Sequence, residues 1–124
     1  MNAEILSVGT ELLLGHTVNT DTAIVARELS TIGVNVLYCA TVGDNPGRLK
    51  EAVETALSRS DILVTTGGLG PTGDDLTKET VAAAAGKKLV LHEESLRRIE
   101  EYFKGRLWGE SQKKQAWLPE GCTV

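Results

Sequence analysis

Two adjacent carboxylates, Asp74 and Asp75, stand directly after a run that holds four glycines in seven residues, Gly67-Gly68-Leu69-Gly70-Pro71-Thr72-Gly73. The apolar, partly β-branched Ile62-Leu63-Val64 precedes the run and a helix-compatible segment from Lys78 follows it, so the stretch reads as strand, loop and helix start. Glycines in such a turn let backbone approach a ligand closely, and the helix behind them offers unpaired N–H groups, a combination that suits phosphate. The acids alter the chemistry. Mg²⁺ is typically held by one or two carboxylates and completed by substrate phosphates and water, so Asp74 and Asp75 point to a metal-assisted phosphate site. The residues alone leave a second reading open, a tight turn whose aspartates only cap the helix.

Two familiar spellings nearly fit. Gly68-Leu69-Gly70-Pro71-Thr72-Gly73 satisfies G-x-G-x-x-G, but it does not follow the first strand, and acids stand where a pyrophosphate would meet the helix. A P-loop would carry Lys-Ser/Thr where this chain has Asp74-Asp75, so positive charge has to come from elsewhere.

The elements that must position this loop follow from periodicity. Ala3 to Val8 is a short apolar strand, and Thr10-Glu11 opens a loop or helical turn through Gly15. Asn19 or Thr20 caps a helix with Val25, Leu29 and Ile32 on one face and Gly33 past its end. Val34 to Val42 is a second strand, apolar enough to be buried by helices on both faces. Asn45 and Pro46 then start a helix that buries Leu49, Val53, Ala56 and Leu57. Asp44 therefore has the same address as Asp75, after a strand and before a helix. Crossover connections in a parallel sheet bring such loops to one edge.

Further on, Lys78 to Ala85 is helical, Lys88 to Leu91 strand-like, and His92 to Lys104 helical with Leu96, Ile99 and Phe103 inward. Ser111 to Trp117 is a short helical stretch, Leu118 to Gly121 a turn, and Cys122-Thr123-Val124 the start of a strand. That strand start, with exposed tryptophans at Trp108 and Trp117, favours a homo-oligomer. His16 has no partner at metal spacing, and Cys39 and Cys122 read as two reduced thiols.

Thr65-Thr66-Gly67-Gly68-Leu69-Gly70-Pro71-Thr72, followed by Asp75-Leu76-Thr77, resembles the signature of the molybdopterin-binding domains of the MogA, MoaB and MoeA proteins and of the CinA (competence/damage-inducible) family. Ser7-Val8-Gly9-Thr10-Glu11-Leu12-Leu13-Leu14-Gly15, with Asn19-Thr20 after it, and Val42-Gly43-Asp44-Asn45 resemble the CinA branch. The resemblance implies a three-layer α/β/α fold with a mostly parallel sheet. It implies a metal-dependent nucleotide pyrophosphatase acting on ADP-ribose-type diphosphates or, alternatively, a non-catalytic module that binds molybdopterin, a pterin phosphate. In the first case Asp44 and Asp75 are catalytic and, with Asp74, hold Mg, Mn or Co. Thr10, Glu11, Gly67, Gly68 and Gly70 then line the ligand, to which Thr66 and Thr72 donate hydroxyl hydrogen bonds. CinA-type domains continue through a further strand and substrate loop, and many add an amidase-like domain. The chain is thus read as one domain, 1–124, lacking its usual C-terminal portion, and no amidase activity is assigned to it.

Composition sets outer bounds. The 124 residues, 41% hydrophobic and 24% charged, suit one domain with one core. A net charge of −4 with scattered basic residues argues against a nucleic-acid backbone as partner. No run reaches the ~18 apolar residues of a membrane span and no basic leader precedes an apolar core, so a cytoplasmic location is expected.

Overall fold

The computed structural model describes residues 1–124. Its centre is a three-stranded parallel sheet in the order β2-β1-β3, with β1 at Asn2–Val8, β2 at Asn35–Val42 and β3 at Ile62–Thr66. Between β1 and β2 come the short helix α1 (Thr10–Leu13) and α2 (Thr20–Thr31), and α3 (Pro46–Arg59) joins β2 to β3. After β3 the glycine run leads into α4 (Thr77–Ala84). The chain closes with β4 (Leu89–Leu91), α5 (Glu93–Tyr102), α6 (Glu110–Lys113), a 3₁₀ turn at Lys114–Ala116 and β5 (Trp117–Pro119). This is the expected α/β class with a parallel sheet, to which β4 and β5 add a separate antiparallel ribbon.

Alternation along β1 divides the layers. Leu6 and Val8 pack with Val42, Leu49 and Val53 and against Val81 and Ala84, so α3 and α4 share one face. Ser7, pointing the other way, hydrogen-bonds Thr22 and Asn19 and places α2 on the opposite face. Covered on both sides, every residue from Ala3 to Val8 is at most 4% exposed. Glu4, also in this strand, survives burial through two bonds from Arg59, Nε to Oε2 at 2.9 Å and Nη2 to Oε1 at 2.8 Å. The same guanidinium lies 3.6 Å over the Tyr38 ring.

Local signals held where the structure is local. Asn19 and Asn45 cap α2 and α3, accepting from Thr22 N and Arg48 N, and Pro46 is the first residue of α3. The differences arise at edges. The second strand is not sandwiched: β2 is an edge strand, bulged at Leu37 because Ala3 pairs with Val36 while Glu4 pairs with Tyr38, and Leu37, Tyr38 and Cys39 are exposed. Leu57 lies about 70° from the centre of the Leu49, Val53 and Ala56 stripe at 100° per residue, and it is exposed. Ile32, just past the last turn of α2, is exposed too.

The C-terminal reading also changes. Trp117–Pro119 is a strand rather than part of a helix and turn, because it pairs antiparallel with β4, Leu91 against Trp117 and Leu89 against Pro119. The expected turn is confined to Glu120-Gly121, where Gly121 has φ 79 and Cys122 N bonds Pro119 O at 3.1 Å, and residues 122–124 form no strand. Trp108 is half-buried, stacked on Phe103 at 5.8 Å. Of the features that favoured assembly, the strand start and an exposed Trp108 are absent, while Trp117 is exposed as expected. No helix is long and apolar enough to cross a membrane.

Candidate functional site

All three central strands run parallel, so the loops after β1, β2 and β3 meet at one edge of the sheet. There the chain changes sides: α2 carries it across one face from β1 to β2, and α3 carries it back across the other face to β3. Loops part at such a switch and leave a crevice, the usual ligand position in open α/β sheets. Here the crevice is about 200 Å³ and is lined by Glu11, Leu12, Asn19, Asp21, Thr66 and Gly67 among others. It is large enough for one phosphate-bearing fragment and smaller than the ~300 Å³ at which drug-sized pockets begin. A larger cleft of about 510 Å³ between α3 and α4 contains none of the site residues expected from sequence.

The glycine loop is built against β1. Gly67 and Gly68 adopt φ +81 and +66, and a Cβ on Gly67 would stand 2.1 Å from Val8 O. A Cβ on Gly68 would stand 2.1 Å from Thr77 Oγ1. The reason for that closeness is Thr77, fully buried, whose Oγ1 donates to Gly67 O at 2.9 Å and whose N–H donates to Gly68 O at 3.1 Å. Gly70 leaves room for a carboxylate, since a Cβ there would be 2.6 Å from Asp75 Oδ2.

Asp75 does not cap α4; Leu76 holds that position without a side-chain bond. Instead Asp75 Oδ2 accepts from Thr72 N at 3.0 Å and Thr72 Oγ1 at 2.7 Å. The Thr72 hydroxyl above all, then the N–H groups of Thr72 and Gly70 and the nearby Lys114 charge, outweigh burial and hold the Asp75 carboxyl below the usual carboxylate range. On the next loop Asp44 Oδ2 accepts from Thr10 N at 3.3 Å while Thr10 Oγ1 accepts from Asp44 N at 3.0 Å. This reciprocal pair locks the loops after β1 and β2 together, and Gly43 fits between Thr10 and Leu13.

The structure thus joins Thr10 to Asp44, Thr72 to Asp75, and Glu11 to Thr66 and Gly67 across the crevice. Asp74 is exposed. Asp44 and the Asp74-Asp75 pair share the sheet edge but stand after the two outer strands, and they do not form a protein-only ligand set: no three Asp, Glu, His or Cys side chains converge where they could hold an ion. An ion at this edge would have the carboxylates of one loop as its protein ligands and would need water and substrate oxygen for the rest, the ligand pattern Mg²⁺ accepts. Thr66 and Thr72 need correction as phosphate donors, because their hydroxyl protons go to Ser7 Oγ at 3.2 Å and to Asp75.

Sequence reasoning missed two groups. Ser7 Oγ, fully buried, collects Asn19 Nδ2 at 2.9 Å and the Thr66 hydroxyl and shares a 2.9 Å bond with Thr22, tying β1, β3 and the start of α2. A lone serine in an apolar strand was the available signal. Lys78 and Lys114 are the positive charge behind the loop. Lys114 Nζ donates to Thr72 O at 2.8 Å and to Asp75 O, and Lys78 Nζ donates to Lys114 O at 2.6 Å. Glu79 Oε1 lies 3.9 and 3.8 Å from the two ammoniums. Burial dominates at Lys78 and lowers its pKa. Nothing in Lys113-Lys114-Gln115 read alone marks it.

Comparison with known proteins supplies the family. Residues 4–122 match the family described as a probable molybdopterin binding domain. The whole chain is 59% identical over 124 residues to a CinA-like protein of Desulfovibrio desulfuricans, covering 29% of that protein. It is 59% identical over 126 residues to a putative competence-damage inducible protein of Acetivibrio thermocellus, covering 30% of it. The chain therefore spans about 30% of the length of these curated relatives. The crystal structure of CinA from Thermoplasma acidophilum superposes with a TM-score of 0.90 at 35% identity, over 99% of this chain and 73% of that one. MoaB of Thermus thermophilus shares the fold, with a TM-score of 0.64 at 18% identity over 95% of this chain and 78% of that one.

Proposed function

The chain belongs to the probable molybdopterin binding domain family, with CinA-like relatives, and on that premise we propose that its sheet edge binds a nucleotide diphosphate of the ADP-ribose type and hydrolyses it with a divalent cation. The observation that carries this reading is the state of the acids and bases around the glycine loop. Asp75 is kept ionised by Thr72, while the ammonium of Lys114 donates to the loop's own carbonyls. A loop that presents carboxylate to phosphate repels it unless a cation intervenes.

Asp75, with Asp74 beside it, would hold the ion from one side, and Asp44, after the other outer strand, from across the β1 loop. When bound, it supplies neutralisation of the diphosphate oxygens and a lowered pKa for a coordinated water. The chain's own groups do the positioning. The backbone of Gly67, Gly68 and Gly70 gives a surface without side chains on which phosphate oxygens can lie, and Thr10 holds Asp44 in place. In the net reaction water adds to one phosphorus, the bridging P–O bond breaks, and its electron pair leaves with the other phosphate, giving two phosphomonoesters.

The test is ADP-ribose turnover by the chain with Mg²⁺, Mn²⁺ or Co²⁺ and with chelator. Turnover should require metal, and Asp75→Asn should lose on the order of 10²-fold. Undiminished turnover in Asp75→Asn would remove Asp75 from the site. A second reading, metal-independent binding of a pterin phosphate without turnover, draws support from the match to the probable molybdopterin binding domain family. Tight binding of such a ligand in chelator, with every diphosphate left intact, would establish that reading instead.

A further inference from the structure

The glycine loop is held from the far end of the chain. Lys114 Nζ reaches Thr72 O at 2.8 Å and Asp75 O, the carbonyls of the very residues whose amide, hydroxyl and carboxylate form the Asp75 turn. Its neighbour Gln115 sends Nε2 to Leu69 O at 3.3 Å, at the start of the same loop. The strap is itself anchored. Lys78 Nζ, on α4, donates to Lys114 O at 2.6 Å; Ala116 is fully buried and its carbonyl accepts from His92 N at 2.8 Å. Glu79 Oε1 lies near both ammoniums, so one carboxylate faces two cations and a net positive charge remains behind the loop.

Contacts of this kind do more than tie a loop down. A peptide carbonyl that accepts from an ammonium is polarised and fixed in direction. Apart from the strap, the stretch between Leu69 and Asp75 is held by its own Thr72–Asp75 bonds, including Asp75 N to Thr72 O at 3.2 Å, while Thr72, Gly73 and Asp74 are exposed and nothing lies within 4 Å of where a Gly73 Cβ would be. We infer that Lys114 is a positioning residue for the phosphate site: by binding the carbonyls of Thr72 and Asp75 from behind, it sets the loop conformation that aims the Asp75 carboxylate at the cation and its ligand. Gln115 sets the loop's other end. This inference rests on the phosphate-and-cation reading given above for what Asp75 does, and not for the existence of the strap.

The experiment compares Lys114→Met, Lys114→Arg and Gln115→Ala with the unaltered chain, in two readouts. The first is amide hydrogen exchange at Thr72 and Asp75, with β1 amides as internal reference. Lys114→Met should speed the loop amides at least tenfold and leave β1 protected, because Thr77 still secures Gly67 and Gly68. The second is Mn²⁺ affinity, with kcat and KM for ADP-ribose. Lys114→Met should lose about 10- to 100-fold in Mn²⁺ affinity and in kcat, the usual effect of removing a group that orients a ligand, and Lys114→Arg should recover most of it. A purely structural role would lower the folded fraction without altering the Mn²⁺ affinity or the balance between kcat and KM of the folded chain. Native loop protection in Lys114→Met overturns the inference, as does undiminished Mn²⁺ affinity. If the unaltered chain neither binds Mn²⁺ nor cleaves ADP-ribose, the functional reading fails while hydrogen exchange still decides the strap. Should Lys114→Met fold poorly, Gln115→Ala, which removes one neutral bond, must show the same direction at Leu69 to Thr72.

Discussion

Gly67→Ala tests whether the glycine loop is pressed against β1 as tightly as the structure places it. An L residue at φ +81 costs about 1–2 kcal/mol by backbone sterics alone. The new methyl would then stand 2.1 Å from Val8 O, where ordinary contact begins at 3.4 Å, so a gap of 1.3 Å has to open between them. The obstacle is a backbone oxygen in the central strand, which cannot rotate aside as a side chain would. Overpacking of this kind costs about 1–3 kcal/mol, which makes the total roughly 2–5 kcal/mol out of the ~5–15 kcal/mol that a domain has. Urea unfolding followed by circular dichroism reads it directly: with a slope of about 1–3 kcal/mol/M, the midpoint should fall by at least about 0.7 M. Gly73→Ala, with open space around the built Cβ and no positive φ, is the control and should stay within about 0.5 kcal/mol of the unaltered chain. Equal midpoints for the two variants would refute the claim that Gly67 is a packing requirement.

Thr72→Val keeps the backbone donor but removes the hydroxyl that most lowers the Asp75 pKa, so the Asp75 midpoint in a carboxyl NMR titration should rise; an unmoved midpoint would leave the hydrogen bond without effect. The sign for stability follows. A carboxyl whose folded pKa is depressed contributes above its unfolded value of about 3.9 and loses that contribution as pH falls through the folded value, so Thr72→Val should lose its acid stability at higher pH than the unaltered chain. Arg59→Met should destabilise more than the double variant Glu4→Leu/Arg59→Met, because the single change strands a carboxylate that is 2% exposed. The same order of urea midpoints reversed would mean that water reaches Glu4 once Arg59 is gone.

Much of this protein was legible in its sequence because the deciding interactions are short-range. Asn45 caps α3 three residues away, Pro46 needs no donor at the first helical position, and Leu49, Val53 and Ala56 make a stripe by period alone. The glycine run with its acids likewise announced a strand-loop-helix turn, and the parallel sheet did place Asp44 and Asp75 at one edge. Tertiary structure decided the rest. Burial of β1 and exposure of β2 depend on which strand sits in the middle, and both are apolar runs that look alike on paper. Strand β5 exists because β4 offers it a partner, which no local pattern in Trp117-Leu118-Pro119 records. The donors of Thr66 and Thr72 were claimed by Ser7, 59 positions away, and by Asp75. Lys114 became the cation behind the glycine loop across 42 positions from Thr72, because backbone carbonyls accept from any ammonium that the fold brings near and leave no trace in the spacing of side chains.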